Sequence, residues 1–169
     1  YLPAFKKAVQ EGGVWTVMGS YSLWKNVHMC QHDELLNKIL KQEWGFEGAL
    51  VSDWDGTTDT WEAATGGLDI EMGTSSVSKS LGRKFTYDDY YLGNSFEKLI
   101  NEGKLPMKVL DDKVRRVLRT IFLTSMNPNK AIGALCTDEH YDVCRRIAEE
   151  GIVLLKNSKN ILPLDASRY

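Results

Sequence analysis

An α/β fold built on a parallel sheet is what this sequence predicts, and three observations predict it. Amphipathic helical stretches alternate with short runs that are apolar throughout. Glycines close the helices ahead of those runs, at Gly12-Gly13, Gly45 and Gly66-Gly67. The polar residues Tyr21, Asp53 and Glu71 fall at or near the ends of the runs. A strand covered by helices on both faces is apolar on both faces, so this pattern reads as βαβ units. In such sheets the carboxyl ends of the strands carry the chemistry.

Each element has its own local cause. Residues 1–11 read as a helix: Pro3 suits its first turn, and Leu2, Phe5, Ala8 and Val9 make an apolar stripe. Residues 14–21 read as a buried strand that ends in Ser20-Tyr21-Ser22, and a loop follows through 26–32. Residues 33–44 place Leu35, Leu36, Ile39, Leu40 and Trp44 on one helical face. A second strand is expected over 48–53, a helix over 57–64 and a third strand over 68–72. The Ser/Gly/Lys-rich stretch 74–84 reads as a loop. Thr86 with Asp89 makes a variant capping box for a helix running to Asn101, with Gly103 behind it. Leu110, Val114, Val117 and Ile121 keep helical register over 109–123. The Pro/Gly/Asn-rich segment from 127 opens a linker over 127–137. It divides a first domain, 1–126, from the start of a second, 138–169, with a helix over 138–150 and a strand over 152–155.

Composition narrows the function classes. The 169 residues carry 21 basic and 23 acidic side chains, interspersed, for a net charge of -2 and a pI near 6.0. No basic excess exists to neutralise phosphates, so neither nucleic acid nor an acidic membrane is an expected partner. No apolar run reaches membrane-spanning length. Cys30, Cys136 and Cys144 are too few and odd in number to make a disulfide framework, which leaves the redox compartment open. The chain starts Tyr1-Leu2-Pro3 inside a helix. It is therefore expected to be an internal piece whose targeting signals, if any, lie upstream.

The run Ala49-Leu50-Val51-Ser52-Asp53-Trp54-Asp55-Gly56-Thr57 carries the candidate chemistry. A carboxylate at a strand end can attack an anomeric carbon, and an indole beside it can pack on the apolar face of a sugar ring. A bland alternative has Asp53 capping the next helix through backbone N–H groups. A third reading is sharp: Asp-x-Asp-Gly-Thr after an apolar strand is the nucleophile pattern of haloacid dehalogenase-type phosphatases. There Asp53 would attack phosphorus, Asp55 would handle the proton, and both would help hold Mg²⁺. That reading needs a paired-Asp strand end downstream, whereas Asp88-Asp89 and Asp111-Asp112 stand at helix starts. His28-x-Cys30-x-His32 has no apparent fourth ligand, so no metal is assigned to it. Met18 and Tyr21, near the end of the preceding strand, would face the same opening as Asp53 in a parallel sheet.

Four stretches together resemble glycoside hydrolase family three, the β-glucosidases and exo-β-glucanases. They are Val17-Met18-Gly19-Ser20-Tyr21-Ser22 with the Leu-Leu helix behind it; Glu43-Trp44-Gly45-Phe46-Glu47-Gly48 leading to Val51-Ser52-Asp53-Trp54; Gly67-Leu68-Asp69-Ile70-Glu71-Met72; and Arg145 to Asn157 with Leu162-Pro163-Leu164. They occur in family order and span nearly the whole chain. The resemblance decides among the readings of Asp53. It implies the C-terminal part of a (β/α)8-type barrel, followed by the first helix and strand of an α/β sandwich domain. It implies a retaining enzyme that releases terminal β-linked glucose, with Asp53 as nucleophile and Trp54, Tyr21 and Met18 around the sugar. It implies no metal and no organic cofactor. Trp54 after the nucleophile leans towards glucosidases and glucanases, and Ser20 to Trp24 towards the exo-glucanase branch. A secreted or periplasmic location is implied by the resemblance alone.

Two departures matter. Retaining hydrolysis needs a second carboxyl group as acid/base, which in two-domain members of the family comes from the second domain, beyond this chain. Asp55 stands where the family carries small or varied residues, with no role assigned by the resemblance. The expected partners are a carbohydrate and the remainder of the protein's own polypeptide. The piece alone is expected to be inactive, and its uncovered strand edges to favour self-association.

Overall fold

The computed structural model describes residues 1–73, 86–131, 133–165 and 167, in two compact units, Tyr1–Lys130 and Ala131–Tyr169. In the first unit, helix α1 (Leu2–Gln10) leads to strand β1 (Thr16–Met18), a two-strand ribbon of β2 (Leu23–Trp24) and β3 (Val27–His28), and helix α2 (Glu34–Glu43). Strand β4 (Ala49–Val51), helix α3 (Thr60–Thr65), helix α4 (Asn94–Asn101) and helix α5 (Lys108–Leu123) follow. The second unit holds helix α6 (Asp138–Gly151).

Strands β1 and β4 pair in parallel, with Met18 opposite Val51, and Val51 bridges in parallel to Ile70 on its other side. The order β1–β4–Ile70, with helices between, is the α/β architecture expected of the sequence. The core lies where α2 and α3 cover this sheet: Leu36 and Leu40 of α2 meet Trp44, Phe46, Leu50, Ala63 and Leu68. Full burial of each leucine and of Phe46 contributes about 1.5–3 kcal/mol by leaving water. Arg116 of α5 ties the sheet from the other side, donating to the carbonyls of Phe46 and Gly48 at 2.9 and 3.1 Å, while Arg119 reaches that of Glu47 at 2.7 Å.

Several expectations are corrected. The strand read over 14–21 is paired only at Thr16–Met18, and the third strand, read over 68–72, is reduced to the bridge at Ile70. Apolar runs mark burial, but pairing ends where the partner's hydrogen bonds end. Here Asp69 turns its side chain, not its carbonyl, to the Leu50 N–H at 2.8 Å. The loop read through 26–32 contains a ribbon, β2–β3, turned by Lys25 and Asn26 at φ 51 and 66. Two successive positive φ values match the right-handed twist of the strands. The capping box of Thr86 and Asp89 is present, but it heads a single turn, Tyr87–Asp89. The chain breaks at extended Tyr90 and at Gly93, where a Cβ would lie 2.1 Å from the Tyr87 carbonyl oxygen. The strand expected over 152–155 is not formed. Among the described residues it has no ladder partner, and Leu155 is 91% exposed. The loop expected over 74–84 lies outside the described residues.

The stripe expected on α5 is also only half used. Its buried residue is Lys113, while Val114 and Ile121 stand exposed. In the second unit, α6 begins as expected: Thr137 caps it through the His140 N–H at 3.3 Å.

Candidate active site at the carboxyl end of β4

Strand β4 runs into Ser52, which is fully buried, and then into a tight turn. The Ser52 N–H donates to the Ile70 carbonyl at 2.9 Å, and its hydroxyl accepts from the Met72 N–H at 2.9 Å. The strand end is thus pinned on the side of Ile70 just before Asp53. The Gly56 N–H returns to the Asp53 carbonyl at 3.1 Å, closing a turn whose corners are Trp54 and Asp55. Asp55 has φ 55. A turn of this kind needs positive φ at its third position, and Asp is among the few side chains that tolerate it. This accounts for the residue at position 55 without assigning it chemistry.

The capping role open to Asp53 is taken by another residue. Asp59 is the N-cap of α3, its side chain accepting from the Glu62 N–H at 2.8 Å. Sequence reading began that helix three residues early; Asp59 with Glu62 three residues on was the legible signal.

Tyr21 is brought to Asp53. Its phenol is pushed above its ordinary range first by partial loss of hydration, then by a hydrogen bond with the Asp53 side chain and by the charges of Asp53 and Asp55. A neutral phenol beside a carboxylate can donate to it. His28 fixes the Tyr21 backbone, its Nδ1 donating to the Tyr21 carbonyl at 3.0 Å. Trp54 stands about half exposed at the first corner of the turn. Met18, the last residue of β1, is exposed and lines an apolar hollow with Phe5, Val17 and Met29.

The three side chains of the His28–Cys30–His32 loop do three separate jobs. His28 holds Tyr21. Cys30 donates to the Ser20 carbonyl at 3.2 Å, and burial pushes its thiol up. His32 packs on Trp24 with ring centroids 4.9 Å apart, and its Nδ1 accepts from the Leu35 N–H at 3.4 Å. Glu71, also at the sheet's carboxyl end, is turned away from any free role on one oxygen: Oε2 accepts from the Leu92 N–H at 2.7 Å, and burial raises its carboxyl. Gln31, which sequence reading passed over, is buried beside the Asp53 loop. A lone glutamine in a polar loop carries no signal that could have found it.

These features define a parallel α/β protein that presents a carboxylate and aromatic side chains on loops at the carboxyl edge of its sheet. The chain belongs to glycosyl hydrolase family 3: residues 1–120 match the model described as the Glycosyl hydrolase family 3 N terminal domain. It is 49% identical to Beta-glucosidase BoGH3A of Bacteroides ovatus over 174 aligned residues, covering all of this chain and 23% of that protein. It is 33% identical to a beta-glucosidase of Rhizobium radiobacter, covering all of this chain and 19% of that protein. Among solved structures, beta-glucosidase 3B of Thermotoga neapolitana with glucose superposes with a TM-score of 0.71 at 31% identity, covering 98% of this chain and 22% of that one. The beta-glucosidase D2-BGL of Chaetomella raphigera gives 0.68 at 32% identity, covering 98% and 23%. The chain thus spans under a quarter of the length of these relatives. The phosphatase alternative built on Asp53 and Asp55 draws no support from these matches.

Proposed function

We propose that the protein carrying this chain is a retaining β-glucosidase in which Asp53 is the nucleophile. The observation that carries the reading is the placement of Asp53. It follows a buried strand end, it is relieved of capping by Asp59, and its carboxylate acts on the Tyr21 phenol, whose pKa it raises. That its relatives are named beta-glucosidases supports the substrate. Asp53 attacks the anomeric carbon as the glycosidic bond to the leaving oxygen breaks, and an acid outside this chain protonates that oxygen. Water, deprotonated by the same outside group, then displaces Asp53 and releases glucose. Tyr21, Trp54 and Met18 border the sugar.

In this reading residues 1–126 are the C-terminal part of a (β/α)8-type barrel, 127–137 a linker and 138–169 the opening of a sandwich domain. The chain alone then lacks half of its carboxyl pair and hydrolyses nothing, and its open strand edges drive self-association. The test is to trap the full-length protein with a 2-deoxy-2-fluoro-β-glucoside bearing a good leaving group and to map the labelled peptide by mass. The label is expected on Asp53, and Asp53→Ala should lower turnover by more than about a thousandfold. A label on another residue removes Asp53 from the role.

A further inference from the structure

The loop that carries Asp53 is held at its start by Ser52 and at its far end by Gln31. Gln31 is 2% exposed, and its amide is engaged on both atoms. Oε1 accepts from the Thr58 N–H at 2.9 Å, while Nε2 donates to the Thr58 hydroxyl at 3.0 Å and to the Glu62 carboxylate. The Gln31 backbone carbonyl abuts Gly66 at the end of α3, where a Cβ would lie 2.1 Å from it. Its neighbour Cys30, fully buried, fills the space between Gly19 and Gly56, where added Cβ atoms would lie 2.9 and 2.7 Å from the thiol sulfur. One dipeptide therefore touches the end of β1, the Asp53–Gly56 turn, Thr58 and both ends of α3.

We propose that Gln31 is a positioning residue that sets the direction of Asp53 by clamping the far end of its loop. The inference rests on Asp53 being the nucleophile. A pin needed only for stability could be apolar. An amide that gives one acceptor and two donors to three fixed groups constrains orientation as well as distance. Attack on an anomeric carbon is sensitive to such placement, since an error of about 1 Å in a reacting group costs on the order of a hundredfold in rate.

The experiment uses the full-length protein and follows the rate of labelling by the fluoro-glucoside, with KM for an aryl β-glucoside and the unfolding midpoint measured beside it. Gln31→Leu is expected to slow labelling of Asp53 by about ten- to a hundredfold with KM nearly unchanged. The double exchange of Gln31→Glu with Glu62→Gln reverses donor and acceptor between the two side chains and leaves the Thr58 N–H its acceptor. It should restore most of the rate. Thr58→Ala, at an exposed position, removes one of the clamp's hydrogen bonds without endangering the fold and should slow labelling severalfold. Labelling of Asp53 at the original rate in Gln31→Leu or in Thr58→Ala overturns the inference. So does a loss that the exchange fails to restore, or one that tracks only the unfolded fraction. Labelling of the unsubstituted protein at a residue other than Asp53 overturns the nucleophile reading first, and this one with it.

Discussion

Replacing Asp69 with asparagine should be among the most damaging single-atom changes in the first unit. Asp69 ties three elements together in the interior. Oδ1 takes the Lys41 ammonium of α2 at 2.7 Å, with side-chain exposures of 0% and 6%, and Oδ2 takes the Leu50 N–H of β4 at 2.8 Å. Lys113 of α5, also buried, feels the same charge and donates to the Leu68 and Ala63 carbonyls. Burial pushes the Lys113 ammonium from 10.5 down to about 8, against the pull of Asp69. Burial also lowers Lys41, with Asp69 again opposing. Asp69→Asn keeps the shape and leaves two buried ammonium groups without their main counter-charge, Asp112 remaining as the weaker one. Removing one partner of a buried pair costs about 3–5 kcal/mol, and that is the expected loss at pH 7.

The pH dependence gives the sharper test. A lysine whose folded value is depressed binds its proton less well in the folded state. Below about pH 8 the folded protein carries the full cost of the charged Lys113, roughly 3 kcal/mol at 1.36 kcal/mol per pH unit. Between about 8 and 10.5 the unfolded chain still holds a proton that the folded one has released, so stability rises with pH. Loss of Asp69 lowers the folded value further and moves the lower edge of that window down. The deficit of Asp69→Asn should therefore shrink as pH rises from 7 to 9.5, once both proteins fold with a neutral Lys113. Urea unfolding followed by tryptophan fluorescence reads this unit directly, because Trp15, Trp24, Trp44, Trp54 and Trp61 all lie within it. Adding Lys41→Met to Asp69→Asn should recover part of the loss. A deficit under about 1 kcal/mol at pH 7, or one unchanged at pH 9.5, would refute the electrostatic account.

Two further outcomes follow from the site. Gly66→Ala should destabilise by about 1–3 kcal/mol, because the new Cβ meets the Gln31 and Glu62 carbonyl oxygens at 2.1 and 2.5 Å. Tyr21→Phe should slow labelling of Asp53 by roughly tenfold or more, the worth of a hydrogen bond to a charged group, without changing the labelled residue. An unaltered rate would remove the phenol from the reaction.

Much of this architecture was legible because local rules and burial agreed. Helices α1, α2, α5 and α6 start and stop within a few residues of where the apolar stripes, Pro3, Gly12, Gly45 and the end of the 127–137 linker place them. The placement of Asp53 after an apolar run that becomes β4 was equally open to reading, since a run apolar throughout implies a covered strand. The failures have a common cause. The strand lengths, the break at Tyr90 and Gly93, and the unpaired 152–155 segment depend on which backbone groups find partners, and a one-dimensional pattern does not contain partners.

The period of the apolar residues and the glycine punctuation were enough to establish an α/β protein with a carboxylate at a strand end. Those signals are written into each segment by its own residues. The engagement of Tyr21 with Asp53, the Gln31 clamp and the buried Lys41–Asp69–Lys113 group are of another kind. Each joins residues far apart in the chain, or selects among several that could do the same job. Distance in space, desolvation and hydrogen-bond competition make that selection, and they exist only once the chain has folded.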